Sequence, residues 1–183
     1  IGSMSRINLA SKTTQVLCLA PTRELTMQIS TVYKGISQFL EDIKVATLVG
    51  GESVDNNVRT LKNDIPHVVI GTPGRVYDMI RRRALVTKNI QTFLLDEADE
   101  MLSHGFKEQV QDIFSQLPQN VQTCIFSATI PRYVFDITNK FMTNPLQIIV
   151  KAEQLTLEGI SQHYIAVRSD VEKYEVLIDL YHL

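Results

Sequence analysis

The sequence predicts an α/β fold: a mainly parallel sheet with helices on both faces. Three observations predict it. Short apolar runs recur along the chain. Longer stretches with apolar residues near 3.6 spacing lie between them. Pro, Gly, Thr and Asn mark the joints. This alternation favours parallel strands linked by helices, with right-handed crossovers as the default.

The apolar runs are Gln15–Ala20, Lys44–Val49, His67–Gly71, Phe93–Leu95, Thr123–Phe126 and Leu146–Val150. They are mostly apolar without alternation, the pattern of strands buried on both faces. Leu25–Leu40 carries Leu25, Ile29, Val32, Ile36, Phe39 and Leu40 at helical spacing. Gly74–Arg83, Glu108–Leu117 and Tyr133–Met142 read the same way. Pro21-Thr22 opens the first helix, with Thr22 suited to cap it. Thr72-Pro73-Gly74 and Thr129-Ile130-Pro131 repeat that strand-to-helix joint, and Asn144-Pro145 closes the last helix. The polar stretch 151–160 reads as a linker. His163–Val167 then predicts a strand and Val171–Leu183 a helix, the opening of a second domain at 161–183 after a first domain at 1–150.

The bulk properties bound the function. A net charge of −2 and a pI near 6.1 supply no domain-wide basic footprint, so any nucleic-acid contact must be local. No apolar run approaches the ~20 residues of a membrane helix, and Ile1–Ser5 lacks the features of a secretory signal. Cys18 and Cys124 lie in apolar runs and are expected as buried, reduced thiols of a cytoplasmic or nuclear protein. His67, His104, His163 and His182 show no metal-ligand spacing and are expected at the surface or at strand edges.

The strongest chemical signal is Phe93-Leu94-Leu95-Asp96-Glu97-Ala98-Asp99. Here a buried strand ends in a carboxylate pair. Ligands of open α/β sheets bind at that end of the strands. An Asp there suits Mg²⁺ beside nucleotide phosphates, and the adjacent Glu suits the activation of water. The same acids also suit a helix N-terminus through the macrodipole.

Asp96-Glu97-Ala98-Asp99 spells the signature of the DEAD-box RNA helicases. Pro21-Thr22-Arg23-Glu24-Leu25, Gly50-Gly51, Thr72-Pro73-Gly74-Arg75 and Ser127-Ala128-Thr129 match four further motifs of that family, in family order. Five ordered matches make the resemblance specific, and it covers essentially the whole chain. Gly71–Met79, Asp96–Leu102 and Leu155–Ile160 resemble the initiation factor 4A branch and its exon-junction relative.

The resemblance implies a RecA-like domain and an ATP-dependent RNA helicase that uses ATP and Mg²⁺. Asp96 would take part in Mg²⁺ binding, through water, and Glu97 would act on the hydrolytic water. Asp99, Ser127 and Thr129 would couple the nucleotide site to strand separation; Thr129 also suits a plain helix cap before Pro131. Pro21, Thr22, Arg23, Gly50, Gly51, Thr72, Pro73, Gly74 and Arg75 would contact single-stranded RNA through its backbone, without reading sequence. Surface salt bridges are the other use for Arg23 and Arg75, and Arg81-Arg82-Arg83 suits a solvated helix end. Protein partners such as a translation-initiation scaffold, a monomeric state and no membrane contact are also implied.

The family's phosphate loop and the strand before it find no match. Ile1–Ile7 resembles the tail of the helix that follows that loop. The fold is therefore expected to lack its first strand and phosphate loop, with an interrupted core. A chain so read would be an inactive RNA- or protein-binding fragment on its own, while its parent is the enzyme.

Overall fold

The computed structural model describes residues 1–40, 42–103, 105–150, 160, 161 and 163–182. They divide into two compact units, Ile1–Asn144 and Pro145–Leu183.

The first unit is built on five strands: β1 (Val16–Leu19), β2 (Val45–Leu48), β3 (Val68–Gly71), β4 (Thr92–Leu95) and β5 (Gln122–Ile125). All pairings are parallel, in the order β2-β3-β1-β4-β5. Five predicted strands are therefore present, each within two residues of its expected ends. The ladder runs without a gap. An interrupted core is not what these residues form, because every neighbour in the order pairs directly, and a further strand has room only beyond β2 or β5.

Side-chain alternation sends successive strand residues to opposite faces. Leu17, Leu19, Leu48, Val69, Phe93 and Leu95 face one layer, packed with residues of α2 (Val54–Asn63), α3 (Pro73–Arg81), α4 (Ala98–Ser103), α5 (Lys107–Ser115) and α6 (Arg132–Phe141). Val16, Cys18, Val68 and Ile70 face the other, against Ile7 and the Ile29 and Tyr33 side chains of α1 (Arg23–Ser37). Only the inner strands β1 and β3 are buried along their whole length; β2 alternates and β5 is buried at Thr123 alone. Edge position explains the difference, since an edge strand has a neighbour on one side only.

Capping chemistry sets the helix starts. The Thr22 hydroxyl accepts from the Leu25 amide at 3.2 Å and opens α1. Ser53 caps α2 and Pro73 occupies the first turn of α3. At the end of α3, Arg82 pairs with Asp78 at 2.8 Å and Arg81 lies over the Tyr77 ring, as a solvated helix end requires. Two helices were not predicted. α2 is polar but keeps Val54, Val58 and Leu61 on one stripe, and α4 begins inside the acidic motif.

Several expectations fail. Leu146–Val150 forms no strand: Leu146 and Ile148 are almost fully exposed. His163–Val167 forms none either. An apolar run becomes a strand only where a partner ladder accepts its backbone, and neither has one among the described residues. Ile1–Ile7 contains a single 3-10 turn, Met4–Arg6, anchored by buried Met4, in place of a helix tail. His67 is buried just before β3, where its Nδ1 accepts the Lys44 amide at 3.2 Å. Cys124 is only half-buried, whereas Cys18 is buried. Residues 151–159, the bulk of the expected linker, and Leu183 lie outside the described residues, as does His104. The second unit contains α7 (Asp170–Tyr181), with Ser169 as its cap. No helix among the described residues is long and apolar enough to cross a membrane.

Candidate functional site

Every strand is parallel, so the residues that follow each strand share one rim of the sheet. Gly50-Gly51 follows β2, Thr72–Arg75 follows β3, Pro21–Arg23 follows β1, Asp96–Asp99 follows β4 and Ser127–Thr129 follows β5. All fourteen predicted site residues therefore lie on it. The ladder extends one step into these loops: Thr72 N donates to Leu48 O, Ala20 N to Gly71 O, Asp96 N to Leu19 O and Phe126 N to Leu95 O, at 2.8–3.1 Å. The loops are thus fixed in series relative to one another. Clefts of about 420 Å³ open at the opposite rim, beside Thr13 and Gln91 or Lys44 and His67.

The acidic half lies on β4 and β5. Asp96 is half-buried and accepts the Glu97 amide on Oδ1 at 3.1 Å. Glu97 adopts φ 51°, a left-handed conformation that is uncommon for a residue with a side chain. Such backbone strain clusters at functional sites. Burial pushes the Glu97 carboxyl above the usual range, and the charges of Asp96, Asp99 and Glu100 push it further.

Asp99 is tied to the loop after β5. Its Oδ2 accepts the Thr129 hydroxyl at 2.5 Å and the Thr129 amide at 3.2 Å. Its own amide donates to Ser127 Oγ, which donates in turn to the Thr129 carbonyl at 2.6 Å. Accepting the Thr129 hydroxyl holds the Asp99 carboxyl below its ordinary range, although burial opposes the shift. The helix cap before α6 is Pro131, so the Thr129 hydroxyl serves Asp99 and not the helix. Among the described residues, Asp99 Oδ1 is buried without a hydrogen-bond partner. Tyr133, which the sequence did not single out, donates to the Asp99 carbonyl at 3.4 Å.

The arginine half lies on β1, β2 and β3. Gly51 sits at φ 81°, and a Cβ there would lie 3.2 Å from Arg23 Nη1. Glycine thus admits both the turn and the close approach of a guanidinium. Arg75 donates to Asn57 Oδ1 and, through Nη2, to the Glu52 carbonyl at 2.9 Å. Among the described residues neither Arg23 nor Arg75 makes a salt bridge; the pairs formed are Lys44–Asp64 and Arg82–Asp78. Pro21 and Pro73 are buried, so their part is to set the backbone path. Gly71 is equally constrained: a Cβ would meet Val76 Cγ2 at 2.5 Å and Leu48 O at 2.7 Å.

Among the described residues, no cluster of three or more His, Cys, Asp or Glu side chains is arranged to hold a metal. Mg²⁺ does not demand one, because it retains waters and shares its sphere with phosphates beside one or two carboxylates. A half-buried Asp96 at the rim fits that chemistry.

Five loops of this sequence on one rim of a parallel sheet agree with the family match. The DEAD/DEAH box helicase model matches residues 1–137. The chain belongs to the DEAD/DEAH box helicase family. It is 48% identical to eukaryotic initiation factor 4A of Caenorhabditis elegans, over 100% of this chain and 45% of that protein. It is 48% identical to the ATP-dependent RNA helicase fal1 of Schizosaccharomyces pombe, over 99% of this chain and 45% of that one. The structure of S. cerevisiae Dbp5 bound to RNA and ADP BeF3 superposes with a TM-score of 0.84 at 30% identity, covering 98% of this chain and 45% of Dbp5. The chain thus spans less than half the length of these relatives, and its sheet has their RecA-like fold.

Proposed function

We propose that the protein to which this chain belongs is an ATP-dependent RNA helicase of the initiation factor 4A type. The observation that carries this is the shared rim, where a bonded acidic half adjoins two arginines that, among the described residues, pair with no carboxylate. The relatives' names and the Dbp5 complex with RNA and ADP BeF3 support it.

Asp96 would hold Mg²⁺, which neutralises phosphate charge when bound. Glu97, with its raised pKa and strained backbone, is suited to accept a proton from water. The Asp99–Thr129–Ser127 bonds join the loops after β4 and β5, so a shift of either loop is felt by the other. Arg23, Arg75 and the exposed amide-bearing loop at Gly50-Gly51 would grip the RNA backbone by charge and geometry. Binding of this kind carries no base readout.

The test is RNA-stimulated ATP hydrolysis by the full-length protein. Stimulation that disappears in the Arg23→Ala/Arg75→Ala double variant is expected. Hydrolysis indifferent to RNA in the parent protein would reject the reading.

A further inference from the structure

We infer that Asn57 is a positioning residue for RNA binding: its neutral amide holds the Arg75 guanidinium in place without cancelling its charge. This rests on the RNA-binding reading of the rim. Asn57 lies in the middle of α2 and is buried. Its two amide atoms serve different partners. Oδ1 accepts Arg75 Nη1, and Nδ2 donates to Glu52 Oε2 at 3.3 Å. Glu52 also accepts Arg75 Nη2 on its backbone carbonyl. One oxygen of the nearby Glu52 carboxylate thus accepts from the amide, and the oxygens that Arg75 meets are two neutral ones.

The arrangement matters because a fork-shaped cation binds phosphate best when it is both fixed and uncompensated. A carboxylate in place of Asn57 would fix Arg75 equally well but would neutralise it. It would also oppose the Glu52 carboxylate, which loses its donor. The amide is the side chain of this size and shape that accepts from Arg75 and donates to Glu52 at once.

The experiment compares single-stranded RNA affinity of the full-length protein across a salt series. Asn57→Asp, Asn57→Ala and Arg75→Ala are measured beside the parent, with thermal unfolding as the fold control. Arg75→Ala is expected to lose roughly tenfold in affinity, and its salt slope flattens by about 0.7, one phosphate contact on a single strand. Asn57→Asp is expected to reproduce both changes; its repulsion with Glu52 lowers the unfolding temperature as well, and the flattened salt slope separates loss of charge from loss of fold. Asn57→Ala should weaken binding while keeping the parent slope, because the charge survives and only its placement is lost. A purely structural role would lower affinity in step with unfolding temperature and leave the slope alone, which overturns the inference. Parent-like affinity and slope in Asn57→Asp, with Arg75→Ala impaired, overturns it as well. If Arg75→Ala itself binds like the parent, the RNA-binding reading of this loop fails first.

Discussion

Across one rim, β4 and β5 crowd carboxylates, while β1, β2 and β3 present arginines that form no salt bridge among the described residues. Asp96, Glu97, Asp99 and Glu100 fall within five residues. Their mutual repulsion is managed unequally: Asp99 is stabilised as an anion by Thr129, and Glu97 is pushed towards its neutral form. On the other half, Arg75 is fixed by amide and carbonyl oxygens, and Arg23 rests against Gly51. One half spends hydrogen bonds on making two neighbouring acids different, and the other on holding positive charge undiminished. A single parallel ladder carries both, so the electrostatic contrast comes from side chains and not from the fold.

The comparison breaks most sharply in the core beneath it. Phe93 is fully buried under the acidic half and faces Phe114 at 6.0 Å between ring centroids. Phe93→Ala should cost about 3–5 kcal/mol, measured by denaturant unfolding. Gly71 lies under the arginine half, between Leu48 and α3. Gly71→Ala should cost about 1–3 kcal/mol by overpacking and should weaken RNA binding more than nucleotide binding, because Val76 and the Thr72–Arg75 turn must move. Equal effects on both ligands would erase the distinction between the halves.

Thr129→Val sharpens the acidic side. It removes the hydroxyl bond to Asp99 and should destabilise by about 1.5–3 kcal/mol at most, less for partial exposure. The folded Asp99 pKa is lowered, so its contribution is present above the unfolded carboxylate pKa of about 3.9 and is lost as pH falls through the folded value. The gap between parent and variant, followed by thermal unfolding, should be full at neutral pH and close in acid.

The smallest effect concerns the two thiols. Cys18 is buried and its pKa is pushed up to about 12, by burial first and the Asp96 charge second. Cys124 is half-buried; burial raises its pKa and the Arg6 charge opposes the shift. A thiol-directed reagent should label Cys124 first in the native protein. Labelling of Cys18 at the same rate would mean that the sheet beneath Asp96 opens.

The rim was legible in the sequence because each motif sits directly after an apolar run, and parallel pairing then aligns every run's end. The five paired strands were legible for the same reason. Leu146–Val150 was misread because five apolar or nearly apolar residues look like a strand whether or not a ladder receives them. α2 was missed because its stripe is narrow, although Ser53 followed by Val54, Val58 and Leu61 was a usable sign. With it went Asn57 and Glu52, whose importance lies in contact with Arg75, 18 and 23 residues away in sequence. That Thr129 bonds to Asp99 and does not cap α6 was likewise out of reach of the sequence, because that bond spans 30 residues.

The most direct test of the central claim is the pairing of two readouts in one variant, Glu97→Gln of the full-length protein. RNA-stimulated ATP turnover should fall by about a hundredfold or more while single-stranded RNA affinity stays at the parent value. Turnover that survives, or RNA affinity that falls along with it, would contradict a rim divided into a chemical half and a gripping half.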